Sequence, residues 1–116
     1  MRTLEDMQHE VEHLIKEEWR SNYWSPLSSL ARLTEEVGEL AREINHSYGE
    51  KPKKSSEGPG SIAGEIGDIL FIVAALANSI EIDLDSAFEA VMAKYRGRDA
   101  QRWSKTGQPR DGAAGN

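Results

Sequence analysis

The sequence predicts an all-α protein, a four-helix bundle-like protomer, on three observations. Four stretches carry apolar residues at three- and four-residue spacing, helix-start signals stand before them, and none shows the period-two alternation of a half-buried strand. Thr3-Leu4-Glu5-Asp6 reads as a capping box, after which Leu4, Met7, Val11, Leu14, Ile15 and Trp19 mark helix one over 4–20. Ser21-Asn22 breaks it, and Ser25-Pro26 supplies an N-cap followed by proline at the first helical position. Helix two runs over 26–47, with Leu30, Leu33, Val37, Leu40, Ala41 and Ile44 as its expected inner stripe, and stops before Gly49. The Gly/Pro/Ser/Lys-rich 49–60 reads as a mobile loop. Helix three begins near Ser61 and reaches Ile80. Its ILFIVAALA run is apolar on every side, so it belongs in the middle of a bundle or an interface. Helix four follows Asp83 over 84–98, with Leu84, Phe88, Val91 and Tyr95 expected to face inward. Residues 1–103 are read as one domain and 104–116 as a disordered tail.

Composition narrows the function. The 116 residues hold 14 Lys+Arg and 20 Asp+Glu, a net charge of −6, which argues against DNA or RNA as partner. No cysteine is present, which removes disulfides, thiolate zinc sites and cysteine nucleophiles. No uninterrupted apolar run has the length of a membrane span and no export signal is visible, so the expectation is a cytoplasmic protein without a membrane partner.

Two acidic motifs break the amphipathic pattern: Glu35-Glu36-Val37-Gly38-Glu39 on helix two and Glu65-Ile66-Gly67-Asp68 on helix three. Residues three apart share a helix face, so Glu36 pairs with Glu39 and Glu65 with Asp68. Glu36 lies at the edge of the apolar stripe, and Glu65 and Asp68 directly precede the all-apolar run. Four carboxylates at the edge of a core repel one another, and Arg32 alone cannot balance them. All-oxygen ligation without cysteine points to Mg²⁺, with Mn²⁺ as a substitute. Cations for a polyphosphate are at hand in Lys94 and Arg98 on helix four and in Lys51, Lys53 and Lys54 of the loop, although cations at a helix C-terminus also simply complement the dipole. His9-Glu10-Val11-Glu12-His13 matches HExxH. The helical wheel turns both histidines to water, and no strand offers a protease cleft, so the zinc-protease and di-iron readings are set aside.

EExxE followed by ExxD in a short acidic helical chain resembles the MazG-like nucleotide pyrophosphohydrolases, in particular their small single-domain branch. The likeness is carried by SPLSSLARLTEEVGELAREINHSYGEKPKK and EIGDILFIVAALANS and covers most of 4–103. The resemblance implies Mg²⁺-dependent hydrolysis of a nucleoside triphosphate to the monophosphate and pyrophosphate, with a house-cleaning role toward non-standard or surplus nucleotides. It implies Glu36, Glu39, Glu65 and Asp68 as metal ligands, Glu35 as a water-orienting carboxylate, and Lys94 and Arg98 as triphosphate contacts, to which Lys54 is added. It also implies a homodimer or homotetramer, a dimer or dimer of dimers built by helix packing. Glu35 and Glu39 are the candidates to take the proton from water. For the base, Trp24 and Tyr23 are the stacking candidates and His46 a further one, with a hydrophobic staple as the alternative role of Trp24. The competing reading of the whole chain is a non-catalytic helical oligomer with a structural divalent-cation site.

Overall fold

The computed structural model describes residues 1–49 and 61–97. The Lys-rich loop with Lys51, Lys53 and Lys54, Arg98, and the expected tail lie outside the described residues. Four α-helices are present and no strand occurs among the described residues: α1 Leu4–Glu12, α2 Pro26–Tyr48, α3 Ile62–Ser79 and α4 Leu84–Arg96. The chain divides into two compact units, Met1–Ile82 and a second one from Asp83 onward.

The helix starts follow the local sequence. The Thr3 hydroxyl accepts from the Asp6 N–H at 3.0 Å and the Asp6 carboxylate accepts from the Thr3 N–H at 2.9 Å. Those bonds hold the Asp6 carboxyl below its ordinary range. Ser25 accepts from Ser28 at 3.2 Å, with Pro26 at the first position of α2, and Ser61 accepts from Gly64 at 2.9 Å to open α3. Asp83 opens α4, its carboxylate accepting from the Ser86 hydroxyl at 2.6 Å.

Helix one departs from the expected regular helix. Residues His13–Glu18 form a π-helical turn, closed by Trp19 N–H to Leu14 C=O at 2.8 Å. The wider turn brings His13 and Glu18, five apart, to 3.1 Å, a pair that a regular α-helix would hold on different faces. It ends on Arg20 at φ 53°. α3 also ends on a left-handed residue, Glu81 at φ 60°, with Ile82 N–H on Ala77 C=O and Glu81 N–H on Asn78 C=O, the bonding of a Schellman motif. No glycine marks either position, so the residue types there carry no sign of left-handed backbone.

In the first unit α3 packs against both α1 and α2. Its buried residues Ile72, Ala74, Ala75 and Ala77 meet a core that includes Val11 and Ile15. Gln8 is buried with them: its Nε2 donates to Asn78 Oδ1 and to Ile82 C=O, both at 2.8 Å, while Asn78 Nδ2 donates to Gln8 C=O at 2.9 Å. This polar clasp ties the middle of α1 to the end of α3. Gln8→Leu, which leaves Asn78 Oδ1 and Ile82 C=O without the Gln8 donor, should cost about 1–3 kcal/mol of stability in urea denaturation; an unchanged midpoint would show that these two bonds contribute nothing.

Two burial expectations are corrected. The α2 face against α3 is Ser29, Leu33, Glu36, Leu40 and Glu43, all buried or half-buried. Leu30, Val37 and Ile44 of the expected inner stripe are 54%, 49% and 42% exposed. The helix is turned by one residue relative to its apolar stripe, about 100°, because the unit has no further helix to cover that stripe. α3 is likewise incompletely covered, with Leu70 exposed. By length and mean hydropathy, 1.5, α3 would suffice to cross a bilayer, but it carries Glu65 and Asp68 and serves as the packing centre of its unit. In the second unit no residue of α4 is buried, and Phe88, Val91 and Tyr95 are exposed, not inward-facing.

Candidate metal centre

α2 and α3 run antiparallel: Trp24 lies against Phe71 at 6.3 Å between ring centroids, while Glu36, further along α2, meets Glu65, earlier on α3. The pairing brings one carboxylate oxygen from each of Glu36, Glu65 and Asp68 within 4.8 Å of one another. Glu36 and Glu65 are half-buried and Asp68 is exposed, so the cluster is floored by two carboxyls and open at the third. Among the described residues no lysine or arginine is paired with any of the three. Arg32, the nearest candidate by sequence, instead stacks on Trp24, its guanidinium carbon 4.3 Å from the ring centroid.

The electrostatic consequence falls on Glu36. A hydrogen bond with the Glu65 carboxyl raises its pKa, and so do burial and the charges of Asp68, Glu65 and Glu39. One oxygen, Glu65 Oε1, is shut off from solvent with no hydrogen-bond partner. A buried carboxylate oxygen without a donor needs a cation or a proton. Oxygens bound to one Mg²⁺ or Mn²⁺ at about 2.1 Å stand up to roughly 4.2 Å apart, so a slight contraction of the cluster accommodates a hard dication. The donor set, three carboxylates and no nitrogen or sulfur, fits the same ion class.

The MazG nucleotide pyrophosphohydrolase domain model matches residues 24–103, which include both acidic motifs. The chain belongs to that family. Protein YpjD of Bacillus subtilis strain 168 is 51% identical over 104 residues, spanning 90% of this chain and 93% of the relative. The crystal structure of YpjD superposes with a TM-score of 0.74 at 49% identity, covering 84% of this chain and 97% of that one. The Bacillus-conserved MazG protein, a nucleotide pyrophosphohydrolase, gives a TM-score of 0.70 at 47% identity, over 88% of this chain and 98% of that one.

In this MazG-family chain the other expected site residues are distributed as follows. Glu39 is exposed one turn beyond Glu36, outside the three-residue cluster but close enough to act on Glu36 through its charge. Glu35 is exposed beside them. His46 is half-buried two positions short of the end of α2. Lys94 is exposed on the last turn of α4, 5.1 Å from the centroid of Tyr95. Arg98 and Lys54 lie outside the described residues. Tyr23 is clamped to helix one: its hydroxyl donates to Glu12 at 3.2 Å and Lys16 stands 5.0 Å over its ring. Burial raises its pKa. Trp24 is half-buried between Arg32 and Phe71, a cross-helix contact in place of the expected staple on its own helix. Phe71 also approaches Trp19 at 6.1 Å, an aromatic cluster hidden in the sequence because Phe71 sits inside the uniformly apolar run. The HExxH histidines are exposed beside acids of their own helix, His9 at 3.8 Å from Glu5 and His13 at 3.1 Å from Glu18.

Proposed function

We infer that this chain is a Mg²⁺-dependent nucleoside triphosphate pyrophosphohydrolase, with Mn²⁺ as a substitute, converting a (d)NTP and water to the (d)NMP and pyrophosphate. The observation that carries the reading is the junction of Glu36, Glu65 and Asp68, with its buried, unsatisfied Glu65 oxygen, inside a MazG-family chain. Glu36, Glu65 and Asp68 hold the cation, and Glu39 closes the set from the exposed side. Bound there, a dication would supply a lowered water pKa, polarisation of the α-phosphate and charge neutralisation of the leaving pyrophosphate. Glu35 orients the attacking water, and Glu35 or Glu39 accepts its proton. Lys94 and Arg98, with Lys54, neutralise the outer phosphates. Trp24, Tyr23 and His46 remain the candidates for contact with the base.

The exposed apolar faces of α2, α3 and α4 support assembly as a homodimer or homotetramer. The proposal extends to a cytoplasmic house-cleaning role toward non-standard or surplus nucleotides, carried by residues 1–103 as one domain. The test is a panel of ribo- and deoxyribonucleoside triphosphates with Mg²⁺ or Mn²⁺ and identification of products. Monophosphate and pyrophosphate from at least one nucleotide is the expected outcome. Thermal stabilisation by metal with no turnover of any nucleotide would replace the reading with a structural cation site.

A further inference from the structure

We propose that Trp24 is a positioning residue of the metal centre: its ring holds the Arg32 guanidinium off the Glu36–Glu65–Asp68 cluster and so keeps those carboxylates free for a dication. This role rests on the cation reading above and goes beyond it, since neither Trp24 nor Arg32 touches the ion.

Arg32 is the cation best placed to fill the cluster. α3 carries no lysine or arginine, and α2 carries only Arg32 and Arg42. Arg42 is six residues on from Glu36, about 240° around the helix. Arg32 is four residues before Glu36 and three before Glu35, on the same face and within side-chain reach of both. The cluster sets three carboxylate oxygens within 4.8 Å of one another, and Glu65 Oε1 has no donor. A guanidinium satisfies such oxygens well, because its N–H groups are charged donors in a fixed fork. The pairing is nevertheless not made. The Arg32 guanidinium carbon lies 4.3 Å from the Trp24 ring centroid, and among the described residues no ion pair joins it to a carboxylate. The charges acting on Glu36 are those of Asp68, Glu65 and Glu39, all acidic.

Local geometry accounts for the choice. Helical side chains lean toward the N-terminus of their helix, so Arg32 extends toward Trp24, which stands just before the N-cap Ser25. Trp24 is fixed there from two directions. The Ser25 hydroxyl accepts from Ser28 N–H at 3.2 Å and sets the chain entering α2. Phe71 of α3 meets the Trp24 ring edge-on, at 6.3 Å and 73°, and is itself braced by Trp19 at 6.1 Å. Phe71 lies three residues beyond Asp68, and Arg32 four before Glu36. In the antiparallel pair the aromatic platform therefore stands about one helical turn from the carboxylates. Arg32 is exposed and can cross that distance. An exposed cation–π contact and an exposed ion pair are of similar strength, so the presence of the ring decides which of the two is made.

Calorimetric titration of the full chain with Mn²⁺, without nucleotide, tests this role. Trp24→Leu should weaken Mn²⁺ binding about tenfold, ~1.4 kcal/mol, because Arg32 then occupies oxygens that the ion needs. Trp24→Phe keeps a ring face and should keep wild-type affinity. Trp24→Leu combined with Arg32→Gln should recover it, a rescue that a ring acting only as packing would not give. Circular dichroism checks the fold, and Trp24→Met, which also lacks a ring face, replaces the leucine variant if that misfolds. Arg32→Gln alone, which leaves the aromatic cluster intact, should change affinity by no more than about threefold, the screened effect of a charge one turn away. Wild-type affinity in Trp24→Leu, a Trp24→Phe or a double variant as weak as Trp24→Leu, or Mn²⁺ binding that tightens about tenfold in Arg32→Gln would each overturn the role. A wild type that binds no Mn²⁺ would sink the cation reading and this role together. Mn²⁺ binding and nucleotide hydrolysis by the wild type, with Trp24→Leu unaffected, would overturn this role alone and leave the reaction standing.

Discussion

Glu65→Gln and Asp68→Asn are each expected to lower pyrophosphate release by about three orders of magnitude, the loss of ~4 kcal/mol of transition-state stabilisation. Glu65 contributes the buried oxygen that has no donor, and Asp68 the exposed oxygen that completes the cluster. Each substitution keeps the shape and removes the charge, so the folded chain should survive. The loss should appear in kcat, with metal affinity reduced as well, in a continuous phosphate-release assay coupled to pyrophosphatase. A variant that keeps more than about a tenth of the activity would show that the cluster does not hold the catalytic cation.

Thermal stability should respond to these same carboxylates with opposite signs in the two metal states. Without metal, Glu36 is held against Glu65, Asp68 and Glu39, and its pKa is raised above the ordinary glutamate range. The folded chain then binds a proton more tightly than the unfolded one, so this group's contribution grows as pH falls from neutral through the raised value and is lost as pH rises. Glu36→Gln removes the repulsion permanently and should raise Tm of the metal-free protein by roughly 5 °C near neutral pH. With saturating Mg²⁺ the order reverses: wild type gains from binding, and Glu36→Gln gains little. Because dications compete with the proton, metal affinity should increase with pH across that window. Scanning calorimetry with and without EDTA at several pH values reads all of this. A Glu36→Gln variant that is destabilised equally in both states would show that the residue is a packing element and that charge repulsion is absent.

The difference between what was legible and what was not follows the range of the interactions. Thr3 with Asp6, Ser25 with Ser28, Ser61 with Gly64 and Asp83 with Ser86 are bonds across three residues, and a linear pattern encodes them directly. The placing of Glu36 near Glu65 and Asp68 was also accessible, because two acidic pairs at helical spacing on consecutive helices leave few ways to pack. The clasp of Gln8 with Asn78 spans seventy residues, and neither side chain carries a local sign of it. The π-helical turn at His13–Glu18 and the left-handed Arg20 and Glu81 are set by where helix ends must reach, at residues without the usual signature of such backbone.

By itself the sequence determined the helices, their starts and the acidic chemistry, because capping bonds and helical periodicity act within a turn or two of chain. Which side of α2 meets α3 was set by long-range packing. The apolar stripe and the Glu36 face lie about 100° apart on one helix, and a wheel ranks them by hydrophobicity alone. Packing against α3 set Ser29, Glu36 and Glu43 inward and left Leu30, Val37 and Ile44 outward, since a unit with so few helices cannot cover both faces.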